Sequence, residues 1–385
     1  MKILQVIPAF PPSTGYGGAP IVACEISKVL ANNGHEITVF ATDAFDEHQR
    51  MNSKIIKNYN FKVYYFKNLS NKLAHRYRLY LAPSFIIEGA NTKNFDIVHL
   101  HDFRSFPIVV IYLFCKFYNV PYLLQPHGKP SKKMTQRGRL FKCLFDYLIG
   151  NRIIKDAARI LVLNYDEAKI YSEISKDNIS LINNGINKSD YILPNKYNFK
   201  KKFGIPLDYK IILYVGRISE AKGLDMLVES FAKLCQKKDK ILLVFIGPDD
   251  GYLEYLKNLS ESKQIVEKVI FAGFLEHNDK LSAYIDADVF ATPIFYGFPL
   301  TFLEAMICGT PIITTNAGDR LPWIDGEIGI IADHDICSIE QAFISILSRE
   351  TNTEKKYDNV SQKINEYSWE SIVKSLEIIY LQSKR

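Results

Sequence analysis

The chain has few cysteines and no long apolar run. Its six cysteines, at positions 24, 115, 143, 235, 308 and 337, are scattered and form no C-x-x-C pair. This spacing argues against a disulfide framework and a structural zinc site, and it is typical of reduced thiols. The most apolar stretch, residues 106–115, is far shorter than the ~20 residues that span a bilayer, so we interpret it as a buried helix. Met1 and Lys2 lead into a strand pattern, so we expect no secretory signal and a cytoplasmic location.

The sequence also lacks internal repeats, low-complexity tracts and a strong charge of either sign. Its net charge of +6 is mild, and its 47% hydrophobic content is that of a globular protein with full cores. A length of 385 residues suggests two domains, at ~150 residues for each domain. A polar stretch at 187–209 without clear periodicity is the predicted linker. We therefore predict units at 1–190 and 191–366, followed by a terminal helix at 367–385.

The N-terminal half alternates strand patterns with helical patterns. The predicted strands are 2–7, 36–41, 62–66, 96–100, 122–125, 159–163 and 179–182. A Gly-rich loop at 8–18 joins the first strand to a helix at 19–32, the layout of phosphate-approaching turns, although a flexible turn of small residues is the alternative. The loop fits neither the G-x-G-x-x-G pattern nor a Walker motif. The alternation predicts a parallel sheet that is covered by helices on both faces.

The C-terminal half repeats this pattern. The predicted strands are 210–215, 240–246, 269–272, 288–292 and 312–315, and a helix is predicted at 224–235. Asp286 and Asp288 match a D-x-D metal-binding pattern. They join a helix end to a strand start, where Asp is common, so we assign them no metal.

The segment 293–315 combines a turn, a short helix and a strand. Residues 296–299 are turn material, and 300–307 has helical spacing with Thr301 as a candidate N-cap. The N-terminus of a helix favours phosphate because its free N–H groups and its dipole attract negative charge. Glu304, one turn into this helix, could cap the helix or accept hydrogen bonds from two hydroxyls of a ligand.

Two cations flank the loop that follows the first strand of the C-terminal half. Arg217 and Lys222 precede the helix at 224–235. Cations at a helix N-terminus oppose the helix dipole, which favours an anion between them. The alternative is a pair of exposed surface cations.

Three histidines lie near strand ends in the N-terminal half. His99 and His101 are two residues apart, so a strand places them on one face, but no third metal ligand is evident. His127 follows the strand at 122–125, where ligands bind in open α/β sheets. It could bind a sugar or phosphate oxygen, move a proton, or form a structural hydrogen bond in its loop.

Basic residues are concentrated in two parts of the N-terminal half. Residues 49–87 contain eight Lys or Arg and 128–145 contain six, and apolar residues are interleaved with the second group. Such a surface suits an anionic membrane or a polyprenyl phosphate, and a solvated face is the alternative. No nucleic-acid-binding module is visible, so we expect no nucleic acid partner.

In order and spacing, the motifs resemble those of the retaining glycosyltransferases of family 4. The motifs are PPSTGYGGAP, DIVHLHD, PHG, NNG, VGRISEAKG, IGPDDG, FAGF and GFPLTFLEAMICGTPIITT, and they span nearly the whole chain. The resemblance implies the GT-B fold, in which two Rossmann-like, doubly wound parallel-sheet domains have a ligand cleft between them. It also implies that the terminal helix packs back on the N-terminal domain.

The resemblance implies a role for each matching residue. Gly17 and Gly18 would let the N-terminal loop approach the donor diphosphate, and Arg217 and Lys222 would bind this diphosphate and stabilise it as the leaving group. Glu304 would accept hydrogen bonds from the ribose, and His127 would contact the donor sugar near the reacting carbon. The remaining donor-binding residues would cradle phosphate and sugar through their backbone: Gly297, Phe298, Pro299, Leu300 and Thr301.

One position departs from the family pattern of two glutamates eight residues apart. The first position is Tyr296, whereas Glu304 is retained. Tyrosine cannot act as an anionic base or nucleophile at neutral pH, which excludes double displacement through this position. The expectation is front-face attack, in which the departing diphosphate helps to deprotonate the acceptor.

The implied function is transfer of a hexose from a nucleotide sugar to a glycan or polyprenyl-linked acceptor in surface polysaccharide or glycoconjugate synthesis. Neither a metal nor another cofactor is expected, because Arg217 and Lys222 replace the metal. The protein would contact the inner face of the plasma membrane peripherally. The alternatives are a GT-B nucleotide-sugar epimerase and a non-catalytic nucleotide-sugar-binding homologue that lost activity with the first glutamate.

Overall fold

The computed structural model of the chain describes residues 1–13, 18–45, 49–51, 58–127, 143–319, 321–326, 328–348 and 363–384. The chain divides into two units. Unit 1 combines Met1–Gly185 with the terminal stretch Trp369–Arg385, and unit 2 comprises Ile186–Ser368. Each unit is built around its own parallel sheet, which confirms the fold class predicted from the alternation of strands and helices.

Unit 1 contains a seven-stranded parallel sheet. Its strands are β1 (Lys2–Val6), β2 (Glu36–Thr42), β3 (Lys62–Phe66), β4 (Ile97–His101), β5 (Tyr122–Gln125), β6 (Arg159–Val162) and β7 (Ile179–Leu181). Their order in the sheet is β3-β2-β1-β4-β5-β6-β7. The order reverses between β1 and β4, so the loops that follow these neighbouring strands diverge and leave a crevice at that point.

Helices cover both faces of this sheet. They are α1 (Ala19–Asn32), α2 (Asn71–Tyr77), α3 (Ser84–Glu88), α4 (Phe106–Tyr118), a π-helix (Asp146–Gly150), α5 (Asn151–Lys155) and α6 (Tyr165–Ser172). The stretch interpreted as a buried helix, 106–115, corresponds to α4, which is buried on one side. Ile108 and Ile111 lie in the core, whereas Leu113 is exposed and Phe117 is 76% exposed. An unbroken apolar run cannot show which face of a helix meets the sheet.

The terminal helix of the chain, α13 (Trp369–Ser383), packs against unit 1. A Cβ atom on Gly185 would lie 2.6 Å from the ring of Trp369, so the absence of a side chain at Gly185 makes room for the start of this helix. Further along, the carboxylate of Glu377 accepts a hydrogen bond from Nδ2 of Asn33 at 2.8 Å. Tyr380, near the end of this helix, is fully buried.

Unit 2 contains a six-stranded parallel sheet. Its strands are β8 (Lys210–Val215), β9 (Ile241–Ile246), β10 (Val269–Gly273), β11 (Val289–Thr292), β12 (Ile312–Thr315) and β13 (Gly329–Ala332). Their order is β10-β9-β8-β11-β12-β13. The described helices are α7 (Asn198–Lys202), α8 (Leu224–Cys235), α9 (Leu253–Ser262), α10 (His277–Asp286), α11 (Leu300–Ile307) and α12 (Ile336–Leu347).

The stretch predicted as a linker, 187–209, contains structure of its own. It holds a 3-10 helix at Lys188–Asp190 and then α7. The carboxylate of Asp286, at the end of α10, accepts hydrogen bonds from the backbone N–H groups of Tyr197 and of Lys200, the latter at 2.9 Å. This anchors α7 to unit 2. The helix in this stretch is therefore stabilised by a buried carboxylate from a distant part of the chain, which the local periodicity of the sequence could not indicate.

Candidate functional site

The sheet of unit 2 reverses its strand order between β8 and β11, which are hydrogen-bonded neighbours. The loop after β8 (216–223, the first loop) and the loop after β11 (293–299, the second loop) therefore leave the same edge of the sheet. They touch, because the N–H of Ile294 donates to the carbonyl of Lys222 at 3.3 Å. Ligands of open parallel sheets bind at such switch points, so this edge is the candidate ligand site of unit 2.

The first loop presents the two cations that the sequence singled out. It ends in a 3-10 helix at Glu220–Lys222 and in Gly223, whose φ of 63° is left-handed and starts α8. Arg217 is exposed, and its Nη1 donates to Oδ2 of Asp250 at 2.6 Å. Asp250, in the loop after β9, is a partner that sequence reasoning missed. Arg217 therefore has an ion-pair partner within unit 2, and its assignment to an anion stays a prediction.

Lys222 differs from Arg217 in its surroundings. Its side chain is half-buried, and burial together with the positive charge of Arg217 lowers its pKa. Both causes act against the charged form of the amine. A phosphate placed beside Lys222 would supply the opposite charge and reverse this penalty, so Lys222 is the stronger anion-binding candidate of the pair.

The second loop delivers the N-terminus of α11. The N-cap residue of this helix is Pro299, which makes no side-chain cap hydrogen bond. The prediction that Thr301 caps the helix is wrong, because Thr301 already lies within the first turn. Without a side-chain cap, the first N–H groups of the helix are available to a ligand. Leu300 and Thr301 thus lie where a phosphate would be bound by backbone N–H groups.

A buried aspartate holds the second loop in shape. Oδ2 of Asp319 accepts a hydrogen bond from the N–H of Gly297 at 2.6 Å, and the N–H of Asp319 donates to the carbonyl of Phe295 at 3.1 Å. A Cβ atom on Gly318 would lie 2.3 Å from the carbonyl oxygen of Phe295, so this approach needs a glycine. Sequence reasoning missed Asp319. The signal was a Gly-Asp pair in the loop after β12, the strand beside β11.

Aromatic packing also supports the second loop. Phe298 is almost completely buried, and its ring centroid lies 5.0 Å from that of Tyr367 and 5.9 Å from that of Trp323. Tyr296, in contrast, is 39% exposed. Tyr296, which replaces the first family glutamate, is therefore partly exposed to solvent. The next two residues of the loop, Gly297 and Phe298, are held in place by the contacts described above.

Glu304 lies on α11 and is only 6% exposed. Its Oε1 accepts a hydrogen bond from Nζ of Lys280 on α10 at 2.6 Å. The capping alternative is therefore wrong, and the partner, Lys280, was not predicted. Oε2 of Glu304 is buried and has no hydrogen-bond partner among the described residues. A buried carboxylate oxygen without a donor is costly, so this atom is suited to accept hydrogen bonds from a ligand.

Asp286 and Asp288, which match the D-x-D pattern, serve the structure. Asp286 anchors α7, as described above, and Asp288 forms an ion pair with Lys210 at 2.7 Å. Within the described residues, no group of three or more His, Cys, Asp or Glu side chains could hold a metal ion.

Unit 1 has a pocket of its own at its switch point. This cavity of about 520 Å³ is lined by residues at the carboxyl ends of β1, β4 and β5, among them Pro8, His101, Asp102 and His127. Gly18 lies nearby at the start of α1, where its carbonyl accepts the N–H of Val22 at 3.0 Å. Gly17 lies outside the described residues. The predicted histidine at the end of β5 thus lines a cavity.

His101 and His127 lie side by side in this pocket. Nδ1 of His101 and Nε2 of His127 are 2.9 Å apart, and Nε2 of His101 is 2.7 Å from Oε1 of Gln5. Nδ1 of His99 is 2.8 Å from the hydroxyl of Tyr380, and this hydroxyl also accepts a hydrogen bond from Nε2 of Gln5 at 3.2 Å. The histidine pair on one strand face therefore belongs to a buried polar network that includes the terminal helix.

Burial keeps these histidines neutral. It lowers the pKa of His99 to about 3 and that of His127 to about 4, and the pKa of His101 also falls well below its usual value. The backbone of His127 has a left-handed φ of 52°, a conformation that costs energy for a residue with a Cβ atom and often marks functional sites.

The surface predicted to meet a membrane is described in part. Residues 128–142 lie outside the described residues. Within 58–87, Leu69 and Tyr77 are exposed, Ile87 is 75% exposed, and Lys67 and Lys72 are exposed nearby. Arg50, another member of the basic tract, forms an ion pair with Asp43 at 2.9 Å. In the part of the chain that the structure describes, no helix is both long and apolar enough to cross a membrane.

Comparison with known proteins gives two family matches in sequence. Residues 16–190 match the model of glycosyltransferase family 4, and residues 195–366 match that of glycosyl transferases group 1. Together the two matches span both units.

Individual proteins agree with these matches. The chain is 26% identical to an uncharacterized glycosyltransferase of Methanocaldococcus jannaschii, over 99% of this chain and 98% of the relative. It is 28% identical to the N-acetyl-alpha-D-glucosaminyl L-malate synthase of Bacillus anthracis, over 99% of this chain and 97% of that enzyme. Among solved structures, Anabaena HepE in complex with UDP-glucose superposes with a TM-score of 0.76 at 16% identity, covering 99% of this chain and all of HepE (100%).

Proposed function

Because the chain belongs to the group 1 and family 4 glycosyltransferases of GT-B fold, we propose that it transfers a hexose from a nucleoside-diphosphate sugar to a glycan or polyprenyl-linked acceptor. The observation that carries the proposal is the half-buried Lys222, which forms no ion pair among the described residues and whose loop contacts the loop that leads into α11, a helix without a side-chain cap from its N-cap residue. A cation and free backbone N–H groups at a switch point form a diphosphate site. The UDP-glucose complex of the structural neighbour supports a nucleotide sugar as the ligand.

The second loop and Glu304 complete the donor site. The backbone of Gly297 to Thr301 would cradle phosphate and sugar, in the shape that Asp319 and Phe298 hold. Oε2 of Glu304 would accept hydrogen bonds from the ribose hydroxyls, because it is buried and lacks a donor among the described residues. In unit 1 we assign His127, and with it the Gly17–Gly18 turn, to ligand contacts on the strength of the family resemblance.

The reaction we propose proceeds with retention by front-face attack. The bond between the anomeric carbon and the diphosphate breaks, and the acceptor hydroxyl forms the new glycosidic bond on the same face. The proton of this hydroxyl passes to the departing diphosphate oxygen. Lys222 and Arg217 stabilise the charge that grows on the diphosphate, which is the work of a metal in other sites. Tyr296 is not an anionic nucleophile at neutral pH, so no covalent intermediate forms through it.

We also propose that the protein meets its acceptor at a lipid surface, which unit 1 contacts. Exposed Leu69, Tyr77 and Ile87 lie in the same stretch of unit 1, 67–87, as exposed Lys67 and Lys72. Apolar side chains that enter an anionic interface beside lysines that bind its head groups would give reversible, peripheral membrane contact. Such contact suits a polyprenyl-linked acceptor.

The experiment that tests this function is thermal unfolding with UDP-, GDP-, ADP- and dTDP-hexoses in the presence of EDTA. A ligand of the native state raises the melting temperature by mass action, so one nucleotide should give a clear shift without a metal. Lys222→Ala should weaken this binding by about tenfold or more, because one charge-assisted hydrogen bond contributes ~1.5–3 kcal/mol. Lys257→Ala, an exposed lysine on α9, is the control and should bind normally.

Four outcomes would contradict parts of the proposal. Unchanged affinity of Lys222→Ala would refute the diphosphate assignment, and loss of binding with EDTA would refute metal independence. Sugar release or isomerisation without an acceptor would indicate the epimerase. Tight donor binding without turnover, even with the native acceptor, would indicate a binding protein.

A further inference from the structure

The buried network of unit 1 links the position of each histidine proton to the orientation of one side-chain amide, that of Gln5. Five side chains take part: Gln5 on β1, His99 and His101 on β4, His127 after β5 and Tyr380 on α13. Four of these residues belong to three neighbouring strands of the sheet or to the loop directly after a strand, and Tyr380 belongs to the last helix of the chain. Nothing in the donor site of unit 2 is needed for this arrangement.

The proton positions follow from Gln5. Its Nε2 donates to the hydroxyl of Tyr380 at 3.2 Å, so its carbonyl oxygen Oε1 faces Nε2 of His101 at 2.7 Å. A carbonyl oxygen only accepts, so Nε2 of His101 must carry the proton. Since His101 is neutral, its Nδ1 is bare and accepts from the neighbouring ring.

The neighbouring ring is His127. Its Nε2 lies 2.9 Å from the bare Nδ1 of His101, so Nε2 of His127 is protonated. The hydroxyl of Tyr380 accepts a hydrogen bond from Gln5 and donates its own proton to Nδ1 of His99. Because Nδ1 of the neutral His99 is thus an acceptor, His99 is also protonated on Nε2. All three histidines therefore share one tautomer, and His127 is left with a bare Nδ1. Within the described residues no hydrogen bond engages this atom, and its ring lines the 520 Å³ pocket.

We propose that Tyr380, Gln5 and His101 are positioning residues that hold His127 as the Nε2–H tautomer, so that its Nδ1 accepts a hydrogen bond from a hydroxyl group of the sugar ligand. His127 then selects a hydroxyl, and it repels a carbonyl or phosphate oxygen, which has no proton to donate. The terminal helix acts on the pocket through this network. The tautomer assignment stands on the network alone, whereas the choice of a sugar as the ligand rests on the proposed function.

The tautomers can be measured without any ligand. In protein with 15N-labelled histidine, long-range proton–nitrogen correlation spectra at pH 7.5 distinguish a protonated from a bare ring nitrogen, and single His→Asn variants assign the signals. We expect protonated Nε2 in His99, His101 and His127. The reverse orientation of the Gln5 amide would protonate Nδ1 in all three, and this result would overturn the proposal.

A pair of matched variants tests the link to the terminal helix. Tyr380→Phe removes the hydroxyl that orients Gln5, and we expect a second set of His127 signals from the Nδ1–H tautomer. Tyr112→Phe is the control, because Tyr112 is a buried tyrosine of unit 1 whose hydroxyl donates to Asp156 at 2.8 Å, outside the network. If both variants leave the His127 signals unchanged, Tyr380 is not a positioning residue. If Tyr380→Phe does not fold, the spectra of the parent protein still decide the tautomer.

The hydroxyl part of the proposal needs the donor identified by the thermal panel. Monodeoxyfluoro analogues of its hexose replace one hydroxyl at a time by fluorine, which cannot donate. One analogue should bind about tenfold more weakly to the parent protein, and His127→Ala should remove this difference. Equal binding of all analogues would refute the hydroxyl contact while leaving the tautomers intact. Absence of binding by every donor would instead refute the proposed function.

Discussion

Acidification should destabilise unit 1 through its buried histidines, and His99 permits the most direct test. His99 has no exposed surface, and burial, followed by the charge of His127, lowers its pKa to about 3. An unfolded histidine titrates near pH 6.5. The unfolded state therefore binds a proton between these two pH values that the folded state does not bind. Stability is full above pH 6.5 and falls as the pH drops towards 3.

The size of the effect follows from this interval. At pH 5 the solution is about 1.5 units below the unfolded pKa and still well above the folded pKa. At 1.36 kcal/mol for each unit, His99 alone should lower the free energy of unfolding by about 2 kcal/mol between pH 8 and pH 5. His101 and His127 act in the same direction. His99→Gln cannot titrate at this position. Its free energy of unfolding should therefore fall by about 2 kcal/mol less than that of the parent protein between pH 8 and pH 5.

The two tryptophans make the assay specific for unit 1. Trp369 begins α13 in unit 1 and Trp323 lies in unit 2, so fluorescence of a Trp323→Phe background reports unit 1. Urea unfolding at pH 8 and pH 5 gives the free energies in this background, with and without His99→Gln. His277→Gln, an exposed histidine in unit 2, is the control and should leave the pH dependence unchanged. Equal pH dependence with and without His99→Gln, within about 0.5 kcal/mol, would refute the reasoning.

Three further predictions concern unit 2, followed through Trp323 in a Trp369→Phe background. Asp319→Ala leaves the buried N–H of Gly297 without an acceptor, so it should cost ~1–3 kcal/mol in urea unfolding and weaken donor-induced thermal shifts. Gly329→Ala places a Cβ atom 1.9 Å from the carbonyl oxygen of Ile312, so the same assay should show a loss of ~3 kcal/mol or more. Lys280→Met leaves the buried carboxylate of Glu304 without its cation and should cost ~3 kcal/mol, which a second change, Glu304→Gln, should partly restore.

Each of these predictions has a matched control. Asp319→Asn retains an acceptor oxygen and should keep most of the stability, so equal loss in both variants would contradict the hydrogen-bond argument. Gly273→Asn adds a side chain where nothing lies within 4 Å and where Asn tolerates the left-handed backbone, so it should cost less than about 1 kcal/mol. If Lys280→Met and the double variant are equally unstable, the charge of Glu304 is not the cause.

Side-chain partnerships were the least predictable part of the protein. Sequence patterns located Glu304, but its partner Lys280 is 24 residues away on another helix. Asp319 is 22 residues from Gly297, and the hydroxyl of Tyr380 is 281 residues from His99. Periodicity reports which face of an element is apolar and nothing about which element it meets. Both capping predictions at α11 were wrong for this reason, since the turn placed Pro299 at the cap and an ion pair occupied Glu304.

The sequence alone determined the elements of the fold and the positions of the loops. Alternating strand and helix patterns indicate parallel sheets because hydrophobic periodicity is a local property, and in such sheets the loops at the carboxyl ends carry ligands. Lys222 and His127 could be chosen on that ground. The tertiary structure decided the strand order, and with it which loops adjoin at the switch points. Only the tertiary structure shows the hydrogen-bond network from Tyr380 to His127. Buried polar groups bond to any suitable atom that packing places within about 3 Å, irrespective of its distance along the chain.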